Sequence, residues 1–350
     1  MPESNILDVD SKYMNDSKIT KIEYHSYTPY TSSFGNNDEI RITVQQTDVY
    51  PYLHESYLYL EGIIKEAEKI KLCNNGLSFF FDQARLEING IEVDRTRNLG
   101  VTSSLKGYVS STPDNYYCYE NAGWTFKNNT IITDNDGSMT LNKVIWKIPH
   151  ISVDDAERLK LLKIVEKEKS LFIPFRSYET YEYPELGTTK NVVWNLKTAS
   201  KLEKPRYIII GLQKNRKGVI EKDCSQFDHC NLKNIKVILN SVLYPYDNLN
   251  LDFEKNNFTV LYNMYTSFQE SYYEKGERNP ILSPSAFKST APIVVVDASK
   301  QNDESTASTV DVSIEIDASE NLTGVTAYCI LIHDRIIEYV PLTREIRKLV

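Results

Sequence analysis

The chain has 350 residues, 41% of them hydrophobic, enough apolar matter for a substantial core and too much for a disordered polymer. Its formal net charge of −8 excludes a protein whose main task is gripping a phosphate backbone, which takes clustered Lys and Arg. A load of 24 Tyr and 12 Phe leans toward β-structure, because aromatic side chains suit a pleated, half-buried surface.

Residues 1–20 are polar and aperiodic and read as a flexible tail. They lack the basic-then-apolar pattern of a signal peptide, and no run approaches the 18 apolar residues of a membrane span, so the protein is expected not to be secreted and not to cross a membrane. The cysteines, at 73, 118, 224, 230 and 329, are odd in number and scattered, which fits a reducing compartment better than a disulfide framework. Four Asn-x-Ser/Thr matches, at Asn15, Asn128, Asn257 and Asn321, are accordingly expected to carry no glycan.

IRITV (40–44), SYLYL (56–60), LSFFFD (77–82) and ARLEINGIEVD (84–94) are strand signals. The last holds Asn89-Gly90 between two alternating runs, and both residues tolerate the positive φ of a type I′ hairpin turn. Its Glu87 and Glu92 are expected to face water, with Leu86, Ile88, Ile91 and Val93 supplying apolar faces. Arg95-Thr-Arg97 reads as a small basic surface turn. Residues 111–143, with a weak IIT segment, read as a long loop, and LNKVIWKIP (141–149) as a strand closed by Pro149. Ser152 is placed to cap a helix in which Ala156, Leu159, Leu162 and Val165 recur at three-residue spacing.

Strands return with LFIPF (171–175), NVVWNL (191–196), RYIIIGL (206–212) and IKVILN (235–240). Phe258, Leu261, Tyr265 and Phe268 predict a second helix within 251–273, and Ser283-Pro284 opens a short third. IVVV (293–296), VDVSIEID (310–317) and AYCILIHDRIIEYV (327–340) close the chain; the second alternates without error, as a strand with one wet face does. An internal register links the halves. Tyr24 of YHSYTPY matches Phe175 of FRSYETY, Tyr57–Leu60 matches Ile208–Gly211, and Asn89 matches Asn240, all at an offset of 151 (175 − 24, 240 − 89). Two similar β-domains in tandem follow from it.

Several stretches approach a metal-binding or catalytic motif without completing one. Cys224, His229 and Cys230 offer three metal donors, but their spacing is not that of a tetrahedral zinc site, so the stretch is expected to be a loop entering a hairpin at Asn240-Ser241. Asp134-Asn-Asp-Gly137 has Ile132 and Lys143 where a calcium loop needs its first and last ligands, so it reads as a turn. His54-Glu55 begins an HExxH pattern that Leu58 breaks, and no nucleophile elbow, phosphate loop or dinucleotide fingerprint occurs. No catalytic, cofactor-binding or metal-binding residue is assigned, no cofactor is expected, and the protein is expected not to be an enzyme.

KIEYHSYTPY (21–30), DEIRITVQQTDVY (38–50), ESYLYLEG (55–62), FDQARLEINGIEVDRTRNLG (81–100), NAGW (121–124), RSYETYEYP (176–184), LEKPRYIIIGLQ (202–213), FDHCNLKNIKVILNSVLYPYD (227–247), PIVVVDASKQN (292–302) and AYCILIHDRIIEYVPLT (327–343) together resemble the double jelly roll-like domain proteins. That group is similar in turn to major capsid proteins of Polinton- and adintovirus-type DNA viruses. The resemblance covers most of 21–345 and implies a mainly β fold of two tandem jelly-roll β-sandwiches with a few short connecting helices. The first roll is expected over 21–150, a connecting helix over 151–169, the second roll over 170–345 and a tail over 346–350. It also implies a homotrimeric, pseudo-hexameric capsomer that builds a shell, self-association and further capsid proteins as partners, and no direct nucleic-acid binding. Relatives carry an extra apolar segment between NAGW and the strand ending in IPH. Here residues 125–140 are short and polar, which leaves the first roll short of inner strands.

A viral or virus-derived shell protein is thus the leading expectation, located in the virion or, for an endogenous copy, inside the cell. A domesticated intracellular binding module of the same fold that no longer assembles is the alternative. A jelly-roll hydrolase or metal-dependent oxygenase is the third, weighed down by only 5 His in the chain.

Overall fold

The computed structural model describes residues 18–45, 50–65, 72–125, 138–167, 169–196, 204–219, 221–300, 310–341 and 343–349. The tail as far as residue 17, the IIT segment, the 134–137 turn and Asn15 and Asn128 lie outside them. In chain order the elements are β1 (Ile19–Tyr27), β2 (Tyr50–Pro51), β3 (Tyr57–Lys65), β4 (Gln83–Ile88), β5 (Ile91–Arg97), α1 (Leu99–Ser110), α2 (Tyr116–Asn121), β6 (Ser138–Val153) and α3 (Asp155–Glu166). There follow β7 (Leu171–Tyr183), β8 (Asn191–Leu196), β9 (Tyr207–Lys214), β10 (Leu232–Leu239), β11 (Val242–Tyr244), α4 (Thr259–Tyr273) and α5 (Pro284–Thr290). The last are β12 (Val294–Asp297), β13 (Val312–Ala318), β14 (Val325–Val340) and β15 (Glu345–Leu349). Two units form: residues 1–67 with 136–169, and residues 68–135 with 170–350.

The smaller unit is built on β6. Trp146 and Lys147 pair with β1 on one side and β3 on the other, and β2 continues β3's side. Val144, Ile148 and His150 are buried on one face, where the His25 ring lies 4.3 Å from that of His150 and the Tyr27 hydroxyl is 3.1 Å from His150 Nε2. Pro149 does not close this strand, which runs on to Val153. The Pro149 carbonyl accepts the Tyr52 N–H at 2.8 Å, so an N–H there would point to the same side, into the gap between β2 and β3. One ladder bond is all the proline forfeits. IRITV differs from expectation. Ile40, Ile42 and Val44 are half-buried and Arg41 and Thr43 exposed, but the segment joins no ladder among the described residues. Its partner at the 151 offset, β8, is held by β13, and the described part of the smaller unit has no counterpart of β13. α3 is capped by Asp154, whose carboxylate accepts the Glu157 N–H at 2.7 Å, two residues after the expected Ser152.

The larger unit is a sandwich. β14 pairs with β7 on one side and with β9 and β15 on the other, with β12 beyond β9; the second sheet runs β11-β10-β13-β8. Their inner faces share one core, and the Tyr183 and Trp194 rings meet edge-on at 5.8 Å across it. β13 buries Val312, Ile314 and Ile316 and turns Ser313, Glu315 and Asp317 outward, as its alternation predicts. β9 is buried along both faces because α1 and Phe227 cover its outer side. A Cβ on Gly211 would stand 2.5 Å from Phe227 and 2.8 Å from Leu105. Ile346–Leu349, expected as tail, lie in β15 against β14.

Turn chemistry comes through intact. Asn89 and Gly90 have φ of 52° and 79°, Asn240 and Ser241 have 46° and 74°, and each pair closes a two-residue hairpin. A bulge near Leu86 pushes Val93 inward against Ile337 and Ile346, while Glu87 is exposed and Glu92 half-buried. Arg95 and Arg97 are exposed, but at the end of β5 rather than in a turn. The expected loop from 111 contains α2, and LSFFFD is a 3-10 turn instead of a strand. Asn75, left-handed at its start, donates to Ser103 Oγ at 2.7 Å and accepts the Ser78 hydroxyl at 2.8 Å, laying Phe79 across Gly100. α4 and α5 form as predicted, with Ser283 accepting the Ala286 N–H.

The 151-residue register is a repeat of topology. Tyr24 and Phe175 lie on β1 and β7, which flank the 16-residue strands β6 and β14. Tyr57–Leu60 and Ile208–Gly211 lie on β3 and β9, which flank those same strands from the opposite side.

Candidate assembly surfaces

Apolar side chains are left uncovered on both units. On the smaller one, cross-strand pairing places the exposed Ile22, Tyr24, Tyr57 and Tyr59 on one sheet face with the half-buried Ile145 and Ile151. Tyr24 and Tyr57, both about half exposed, bring their rings to 5.7 Å. Polar groups accompany this patch: Lys143 pairs with Glu61 at 3.0 Å, and Lys147, between Ser26 and Tyr57 on the same face, donates to Ser26 Oγ at 2.6 Å. Exposed pairs of this kind contribute little stability, so they tune what the face meets rather than hold it. α3 adds Leu159 and Leu162, 59% and 47% exposed. An aromatic patch of this kind accompanied by polar groups is the anatomy of an association surface.

On the larger unit, among the described residues, β8 ends its sheet and exposes Val193. An unpaired edge strand is a template for another chain. The β7 residues Leu171, Phe172 and Ile173 are exposed as well.

The residues with chemical potential are dispersed. His229 stacks on Phe253 at 4.5 Å and its Nδ1 accepts the Asn231 N–H at 3.0 Å; burial lowers its pKa below the ordinary imidazole value. Cys230 is half-buried in a left-handed turn, and burial pushes its thiol up to about 12. Both line a cleft of about 750 Å³ with Lys288 and Glu320. Arg216 clamps Asp228 with two bonds of 2.7 Å and so fixes the loop into β10. Cys224 lies beside Cys73 instead, Sγ to Sγ 3.3 Å. This contact was not legible in the sequence, where the two thiols stand 151 residues apart. His54 and Glu55 sit in a 3-10 turn. No helix among the described residues is long and apolar enough to cross a membrane.

A two-sheet sandwich preceded by a unit that repeats its strand order defines a double jelly roll, the class expected from the sequence. The family model of the double jelly roll-like domain matches residues 70–132 and 126–337, and the chain belongs to that family. Solved structures agree on the fold. The Sputnik virophage structure superposes with a TM-score of 0.62 at 8% identity, covering 98% of this chain and 91% of that one. VP54 of the virus PBCV-1, fitted into a reconstruction of Sputnik, gives 0.58 at 10% identity, with 97% and 98% covered. The Faustovirus major capsid protein gives 0.54 at 7% identity, with 95% and 92% covered. Among curated proteins none matches the chain in sequence.

Proposed function

We propose that the chain is a capsid-type structural protein, the subunit of a homotrimeric, pseudo-hexameric capsomer in a viral or virus-derived shell. The observation that carries this reading is the likeness to the Faustovirus major capsid protein along more than nine-tenths of both chains. The aromatic sheet face of the smaller unit and the open β8 edge of the larger supply surfaces through which copies can associate, with other capsid proteins as further partners. The role is structural rather than catalytic, and its place is the shell itself. By register the first roll takes 21–150 and the second 170–345, with 151–169 between them; residues 72–125 then belong to the first roll by sequence order and to the larger unit by packing.

Purified full-length protein should elute, by light scattering, at three times the 40.4 kDa chain mass, and negative-stain images should show trimers or larger particles. A strict monomer at high concentration would sink the proposal.

A further inference from the structure

Cys73 and Cys224 approach each other at the point where the segment 72–125 meets the connection from β9 to β10. Both thiols are half-buried, so a small reagent can reach them. Their backbones are held. The Cys73 carbonyl accepts the Gly76 N–H at 2.9 Å, two residues before the anchored Asn75, and the Cys224 carbonyl accepts Gln213 Nε2 at 2.7 Å. Next to Cys224, the Asp223 carboxylate accepts the Ser225 N–H at 2.8 Å, and its carbonyl accepts from Arg216 at 3.2 Å. A disulfide needs the sulfurs at about 2.0 Å, so roughly 1.3 Å separates this contact from a bond. Either thiol can donate across this contact; when Cys224 is the thiolate, the Cys73 thiol donates to it and lowers its pKa, so Cys224 can attack while Cys73 resolves.

We propose that Cys73 and Cys224 are a redox-closable crosslink that joins residues 72–125 covalently to the second sandwich when a small-molecule disulfide oxidises them. The Cys224 thiolate attacks one sulfur of oxidised glutathione, forming a mixed disulfide and releasing one glutathione thiolate. Cys73 then loses its proton to solvent, and its sulfur attacks the Cys224 sulfur and expels the second glutathione. Two protein thiols are oxidised by two electrons, and one glutathione disulfide becomes two glutathiones. The bond closes a loop spanning 151 residues, and constraining so long a loop restricts the unfolded chain strongly. The pair stays open in a reducing compartment and closes in an oxidising one.

The test treats purified full-length protein with excess oxidised glutathione, alkylates free thiols and maps peptides, with melting followed before and after re-reduction. A Cys73–Cys224 peptide should be the main disulfide, two of the five thiols should disappear, and the melting temperature should rise by several degrees and fall back on reduction. Cys224→Ser should abolish both changes. The proposal is overturned if Cys73 and Cys224 remain alkylated while the exposed Cys118 carries glutathione. It is overturned equally if both stop at mixed disulfides, or if the pair is shielded by stoichiometric metal that a chelator releases.

Discussion

Two side chains in the larger unit show how local space and solvation set stability. Gly211 lies on β9 where Phe227 and Leu105, both fully buried, occupy the volume of a Cβ. Neither neighbour is the free end of a flexible chain, so Gly211→Ala should cost about 1–3 kcal/mol through overpacking. Gly276, with nothing within 4 Å, is the control, and urea denaturation of both variants should show a loss only for the first. Lys106 places its ammonium 4.3 Å from the Tyr272 ring and donates to Tyr273 Oη at 2.8 Å, yet burial lowers its pKa to about 8 from 10.5, with Arg176 adding to the drop. The folded state therefore binds fewer protons than the unfolded between those values. The penalty for holding the charged amine is fully present below about pH 8 and fades as pH rises to about 10.5. Wild type should gain stability relative to Lys106→Met over that window. A gap that does not change between pH 7.5 and 10.5 would refute this.

At the scale of elements, what could be read from sequence was what neighbours in the chain decide. Asn89-Gly90 announced its hairpin because a type I′ turn depends on two residues alone. The second hairpin uses the same geometry with Ser241 at φ 74°, which costs a residue bearing a Cβ about 1 kcal/mol. Ser241→Gly should recover much of that and raise the melting temperature, while Gly90→Ala, in open space but at φ 79°, should lower it. α1 was illegible for the opposite reason. LGVTSSLKGYVS has two glycines and several poor helix formers. The glycines are there because Phe79 and Trp124 come within 2.3 Å of where their Cβ atoms would stand, a requirement set by residues far along the chain or in another element. LSFFFD misled in the same way, its aromatic run serving Gly100 rather than a ladder. IRITV keeps a strand's alternation but meets no ladder partner among the described residues. Of the association surfaces, Tyr24 and Tyr57 were legible as strand residues, whereas their exposure depends on what fails to cover them.

For the whole molecule, the consequential feature is that residues 99–125 build part of the core of the larger unit. Leu105, Tyr108, Val109 and Trp124 belong to the same buried cluster as β9, β14 and α4. Buried polar groups knit this segment in: the Tyr265 hydroxyl donates to the Tyr108 carbonyl and Gln269 Nε2 to the Ser111 carbonyl, each at 3.0 Å. Residues 170–350 alone would leave Phe227 and Phe268 without the cover of α1, together with the Tyr265 and Gln269 donors that lose their acceptors. Uncovering one face of a sheet buried on both is a loss that a marginally stable domain does not survive. A chain of residues 170–350 should therefore bind hydrophobic dye and melt without cooperativity, the signature of a loosely packed state. Co-expression with residues 68–135 should restore a sharp transition and co-purify the two pieces. If 170–350 instead melts cooperatively near the full-length temperature, the segment is only a lid on a self-sufficient sandwich.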